Sequence, residues 1–256
     1  MSLDLALGLA GVAAEVALIA VIGHKRAFRT LPVFYLYVFW MVLSDLAMMA
    51  ISRQFPSRYF QAFLIEMPLD SLFQFCVLLE LAWSVFRPVR ASLSRWMILV
   101  LAAAILLTGA VVWPIAGALA LPGPSAQWHL LFQLEQTFSI LRILVFVVLA
   151  GLSQFLAMGW RDRELQIATG LGLYSLMSLG AAALHSHPAS SAFYHGVDQV
   201  VMVSYLCSLA YWVFSFLQKE APRQEFSPRM QSLLLTVAGN ARSSRLAMEE
   251  LRNRKS

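Results

Sequence analysis

Charge is scarce in this chain. Of its 256 residues only 13% are Asp, Glu, Lys or Arg, about half the share of a soluble globular domain. With 59% hydrophobic residues and a mean hydropathy of +0.69, folding in water would leave more apolar surface exposed than water tolerates. That excludes an ordinary soluble domain and makes lipid the solvent. Cysteine is scarcer still: Cys76 and Cys207 both lie inside apolar stretches, which argues against a disulfide framework and reads as two small buried hydrophobes. The only lysines are Lys25, Lys219 and Lys255, and none lies in an apolar stretch. A cleavable leader is not expected, because nothing basic precedes the first apolar run after Met1. No internal repeat period is visible.

What the chain does have is long apolar runs. Crossing about 30 Å of hydrocarbon takes about 20 mainly apolar residues in a helix. Seven stretches qualify: residues 3–23, 31–51, 60–86, 96–119, 128–160, 165–184 and 197–218. The third and fifth are long enough to tilt or to protrude. Pro32 suits a first helical turn, and Pro122-Gly123-Pro124-Ser125 marks a turn between the fourth and fifth runs. The expected fold is all-α: a polytopic seven-transmembrane helix bundle over residues 1–218, then a basic tail over 219–256.

Basic residues set the expected orientation. Lys25, Arg26 and Arg29 follow the first span; Arg87, Arg90 and Arg95 follow the third; Arg161 and Arg163 follow the fifth; eight more Lys/Arg lie in the tail. On the other side there are only Arg53 and Arg58, with Arg142 inside a span. Sixteen of 19 on one side predicts the N-terminus outside and the C-terminus in the cytoplasm, in a multi-pass protein of the inner or plasma membrane. Trp96, Trp128 and Trp160 fall at span ends, where indole rings prefer the interface. The tail from about Pro228 to Arg254 has an apolar stripe (Met230, Leu233, Leu234, Val237, Ala241, Met248, Leu251) and reads as an amphipathic cytoplasmic helix. Its basic residues fit anionic lipid at the inner leaflet, or alternatively a protein partner; nucleic acid is not expected.

Ionisable groups inside a span cost about 2.5–3.5 kcal/mol each on insertion scales, so each one calls for a partner or a purpose. Glu15, Asp45, Glu66, Asp70, Glu80, Glu135, Arg142 and Asp198 are of this kind. Measured along each helix, Asp45, Glu66, Asp70, Glu135 and Asp198 fall in the outer half. On the third span Glu66, Asp70, Phe73, Val77 and Glu80 recur at spacings of three and four, so they share a face. Pro68 sits among them and predicts a kink. A polar stripe between helices and a cation, amine or metal site both fit that pattern. Glu135 and Arg142 are too far apart for an ideal direct pair, so Arg142 is expected to meet a carboxylate of another helix, with Asp70 a candidate. The candidate ligand or ion site is therefore Asp45, Glu66, Asp70, Glu135, Arg142 and Asp198.

Near the outer rim, His185, His187 and His195 cluster with Asp198. Imidazole and carboxylate suit zinc or another divalent metal, but the spacing matches no tight zinc signature and no thiolate supports it. Solvated loop histidines are the favoured reading of the pattern. Imidazoles also titrate around pH 6.5, which would suit a pH sensor.

Arg26-Ala-Phe-Arg-Thr-Leu-Pro-Val-Phe-Tyr-Leu-Tyr entering the second span, with Glu80 and Val85-Phe86-Arg87-Pro88 closing the third, resembles uncharacterised bacterial seven-span integral membrane proteins. The likeness covers about the first hundred residues and implies no activity. Rhodopsins share only the span count, and without a lysine in the seventh span no retinal is expected. Ser44-Asp45 in the second span resembles a fragment of the seven-span ceramidase and progestin-receptor pattern, but no histidine lies within spans two, three or seven to complete it. With no catalytic signature in view, the leading expectation is a sensor or small-ligand/ion-binding membrane protein with no cofactor. The alternatives are a membrane-embedded, metal-dependent enzyme acting on a lipid, with Glu66 or Asp70 as base, and an accessory subunit of a membrane complex.

Overall fold

The structure is a computed structural model and describes residues 3–85, 96–119, 126–152, 162–185 and 191–218. Among these residues seven helices are long and apolar enough to cross a membrane, and the chain is built as a multi-pass membrane protein. They are α1 (Leu3–His24), α2 (Pro32–Gln54), α3 (Tyr59–Val85), α4 (Met97–Leu119), α5 (Ala126–Leu152), α6 (Arg163–His185) and α7 (Ser191–Leu217). Helices satisfy every mid-segment backbone N–H and C=O internally, which hydrocarbon demands. The expected tail helix, the Pro122–Ser125 turn, Trp160 and His187 lie outside the described residues.

One boundary differs from the sequence reading. α7 begins at Ser191 rather than near Val197, so His195 sits on a helix and not in a loop. Hydropathy detects only the apolar part of a helix, and the polar first turns of α7 extend beyond it. α3 runs unbroken through Pro68, which cannot offer an N–H to the Leu64 carbonyl four residues earlier.

Six helices close a ring in the order α1, α2, α3, α5, α6, α7 and back to α1, while α4 packs outside it against α5 and α3. Close approach inside the ring depends on small residues. A Cβ at Gly170 of α6 would fall 2.2 Å from Trp212 Nε1 of α7, and one at Gly172 would fall 2.8 Å from Phe146 Cβ of α5. The Ser208 hydroxyl donates to the Gly170 carbonyl at 3.1 Å, fastening α7 to α6 at the same place.

The apolar core lies toward the end of the bundle away from the N-terminus. There Leu18 and Ile22, Phe34 and Val38, Val77 and Leu81, Leu165 and Ile167, and Leu209 and Phe216 are all buried against one another. Phe34 meets Trp212 edge-on at 5.3 Å and stacks on Phe216 at 6.0 Å. Glu80 sits at the margin of this core. Its two carboxylate oxygens accept the backbone N–H groups of Val33 (2.9 Å) and Phe34 (2.8 Å), in the first turn of α2. Leu31 offers that helix no side-chain cap and Pro32 has no N–H, so a carboxylate from α3 caps it instead.

Candidate functional site

Toward the other end of the ring the packing opens into a cavity of about 290 Å³. Tyr37, Met41, Ser44 and Asp45 reach it from α2, at the spacing of one helical face. Glu66, Met67, Asp70 and Gln74 reach it from α3, again from one face. Glu135 and Arg142 come from α5, Tyr174 from α6 and Tyr205 from α7. Measured by helical rise from the N-terminal end, Glu66 and Asp45 lie roughly 10–14 Å down, and Arg142, Tyr37 and Tyr205 roughly 20–25 Å down. These are backbone heights; the Arg142 guanidinium itself reaches back one turn, to Ser139. Asp45 is exposed, whereas Ser44 beside it is buried.

Specific bonds hold the walls in place. The Ser44 hydroxyl donates to Glu66 Oε1 at 3.0 Å, tying α2 to α3. Trp40 and Phe73 continue this seam, stacked at 5.3 Å, and the Glu80 cap completes it at the far end. The stripe on α3 is therefore one face turned toward α2, with two members at the cavity and Glu80 at a helix terminus. Within α3 the Gln74 amide donates to Asp70 Oδ2. Above the α5 side, Trp128 stacks on Phe60 at 4.9 Å and lies 5.5 Å from Phe63. Behind the cavity, the Tyr205 hydroxyl donates to Oε1 of Glu15, a fully buried carboxylate on α1. Its other oxygen, Oε2, has no hydrogen-bond partner among the described residues.

Arg142 corrects an expectation. Rather than pairing directly with a carboxylate of another helix, it donates to the Ser139 hydroxyl at 3.0 Å and lies 5.5 Å from the Tyr174 ring centroid. The described residues bring no carboxylate within 4.0 Å of it. Its Nε has no hydrogen-bond partner, although the residue is only 4% exposed. Asp70 and Glu135 share the cavity with it but stand off. The reason is local: Ser139, one turn earlier on α5, is nearer, and Gln74 already engages Asp70.

Five of the six residues expected at the site, Asp45, Glu66, Asp70, Glu135 and Arg142, line this one cavity. Asp198 does not. It sits on α7 with its Oδ1 3.3 Å from His185 Nε2 at the end of α6. His185 also donates from Nδ1 to the Ala181 carbonyl at 2.8 Å and stacks on Tyr194 at 4.9 Å. His195 accepts at Nε2 from the Gln199 amide at 3.0 Å. Among the described residues no group of three or more His, Cys, Asp or Glu is arranged to hold a metal ion. Sequence reasoning missed Tyr37, Met41, Met67, Gln74, Tyr174 and Tyr205. Only Gln74 carried a signal, one turn below Asp70 on the polar face; the tyrosines look like any aromatic of a span.

Chemically, the lining offers four carboxylates, one guanidinium with a free donor, and three phenols. No protein-family model, curated protein or solved structure matches the chain.

Proposed function

We propose that the protein is a membrane sensor that binds a small polar ligand or ion in this cavity. With the N-terminus outside, as the basic residues predict, the end of the bundle that holds the cavity faces outward and the basic tail meets the inner leaflet or a cytoplasmic partner.

The observation that carries the reading is Arg142: a nearly fully buried guanidinium, at membrane depth, with an unpartnered N–H, lining one cavity with four carboxylates and none of them in contact. A charge at that depth costs about 2.5–3.5 kcal/mol on insertion scales, and a buried donor left unmet costs about 1–3 kcal/mol more. Collapse onto Asp70 or Glu135 would recover part of this, yet the groups are held apart around a space large enough for about ten water-sized units. Such an arrangement is one that a bound ligand completes.

The test is thermal unfolding of the full chain in nanodiscs with sodium, potassium, calcium, n-butylamine, choline and simple amino acids as probes. A ligand at 100 times its Kd stabilises by about 2.7 kcal/mol, which moves the midpoint by several degrees. At least one probe is expected to do so, and Glu66→Gln with Asp70→Asn is expected to abolish the shift. No shift with any probe, or a shift that survives the double substitution, overturns the reading.

A further inference from the structure

We infer that the ligand is a small zwitterion, with an ammonium held by the acids and an anionic group, carboxylate or phosphate, held by Arg142. The inference rests on the binding reading above and assigns it a ligand class.

Three observations carry it. The first is the balance of charge. Glu66, Asp70 and Glu135 present acceptor oxygens to the cavity and Arg142 presents the one guanidinium, so a simple anion would meet a surplus of like charge. A simple cation would satisfy the acids but leave the guanidinium without an anionic partner. Only a molecule carrying both signs answers both.

The second is that Arg142 is held in readiness. Ser139 takes one of its N–H groups at 3.0 Å, Tyr174 lies at 5.5 Å, and Nε, shut away from solvent, has no acceptor. The rest of the guanidinium lines the cavity with no carboxylate in contact, and its fork suits a carboxylate or phosphate oxygen. Meanwhile the Gln74 amide occupies one oxygen of Asp70 and the Ser44 hydroxyl one oxygen of Glu66, so neither acid needs to reach for the arginine.

The third is how the two signs are placed. The guanidinium, held at Ser139 and beside Tyr174, and the acids, held by Ser44 and Gln74, line one cavity from different helices without touching. Its 290 Å³ limits the ligand to about ten heavy atoms, the size of a short amino acid, a betaine or a phosphoethanolamine headgroup.

The experiment compares matched triplets on the full chain in phosphatidylglycerol nanodiscs. Glycine, β-alanine, 4-aminobutyrate, glycine betaine and phosphoethanolamine are each titrated beside their amine half and their anionic half, with the unfolding midpoint as the readout. At least one zwitterion is expected to bind about tenfold or more tighter than either half. Arg142→Gln is expected to reduce that zwitterion to the affinity of its amine half, Arg142→Lys to restore part of the difference, and Asp70→Asn to weaken the zwitterion and the amine together. The wild-type comparison decides even if a variant does not fold. Repeating it with phosphatidylethanolamine in the disc separates the sources: a response blocked by that lipid assigns the headgroup, and an unchanged one assigns a free solute. An amine or metal cation that binds as tightly as every zwitterion overturns the inference while the binding reading stands. Silence from every probe overturns both.

Discussion

The two halves of this bundle use the same helices for opposite ends. Away from the N-terminus, α1, α2, α3, α6 and α7 bury Leu18, Phe34, Val77, Leu165 and Phe216 against one another, and Glu80 at the margin accepts backbone N–H groups. Toward the N-terminus the same α2 and α3 turn Asp45, Glu66 and Asp70 into a cavity that is not filled by side chains. The seam between these two helices shows the change in a few turns: a helix cap at Glu80, an aromatic stack at Trp40 and Phe73, then a Ser44–Glu66 hydrogen bond at the cavity wall. One half is built to stay together; the other gives up packing for a polar space.

Substitutions that strike each half separately would sharpen or break that contrast. The largest effect is expected at Glu80. Glu80→Ala removes two charge-assisted hydrogen bonds and uncovers the first turn of α2, costing about 3 kcal/mol of stability in denaturant titrations of the purified protein. Ligand affinity should be unchanged, and a matching loss of binding would show that the halves are not separable. Next comes Gly170→Val, which drives a side chain into the Trp212 indole where even a Cβ would fall 2.2 Å away. Overpacking of this kind costs about 2 kcal/mol.

The opposite sign is expected at the cavity. Glu66→Gln with Asp70→Asn removes half-buried charge but leaves an amide oxygen to accept from Ser44 and Gln74, so the ligand-free protein should gain about 1 kcal/mol while losing its ligand response. A loss of stability instead would make the acids structural. Smallest of all is Val111→Ala on α4, which is 71% exposed on the helix outside the ring. Its effect should stay within about 0.5 kcal/mol.

Much of this contrast can be read in the sequence, in one dimension. Length and hydropathy locate all seven helices, and helical rise gives each acid a height; that is enough to gather Asp45, Glu66, Asp70 and Glu135 at one level. What height does not give is rotation. Asp198 shares the level but turns to His185 at the rim, and Arg142 turns to Ser139 rather than to Asp70. Glu80 shows the same limit: its spacing places it correctly on the face of Glu66 and Asp70, but its role as a cap depends on α2 beginning beside the end of α3. Tyr174 and Tyr205 reach the site only because α6 and α7 close the ring against α5 and α1.

The difference between the halves is tested most directly on α2, where Met41 lines the cavity and Val38, three residues away, is fully buried in the core. In a background with Cys76 and Cys207 replaced by Ala, Met41→Cys and Val38→Cys would each be exposed to a membrane-impermeant thiol reagent in sealed, right-side-out vesicles. Met41→Cys should react from outside, should be protected by any bound ligand, and Val38→Cys should stay unreacted from either side. Equal labelling of the two positions, or labelling of Met41→Cys only from the cytoplasmic side, would contradict a polar cavity open outward above a closed apolar core.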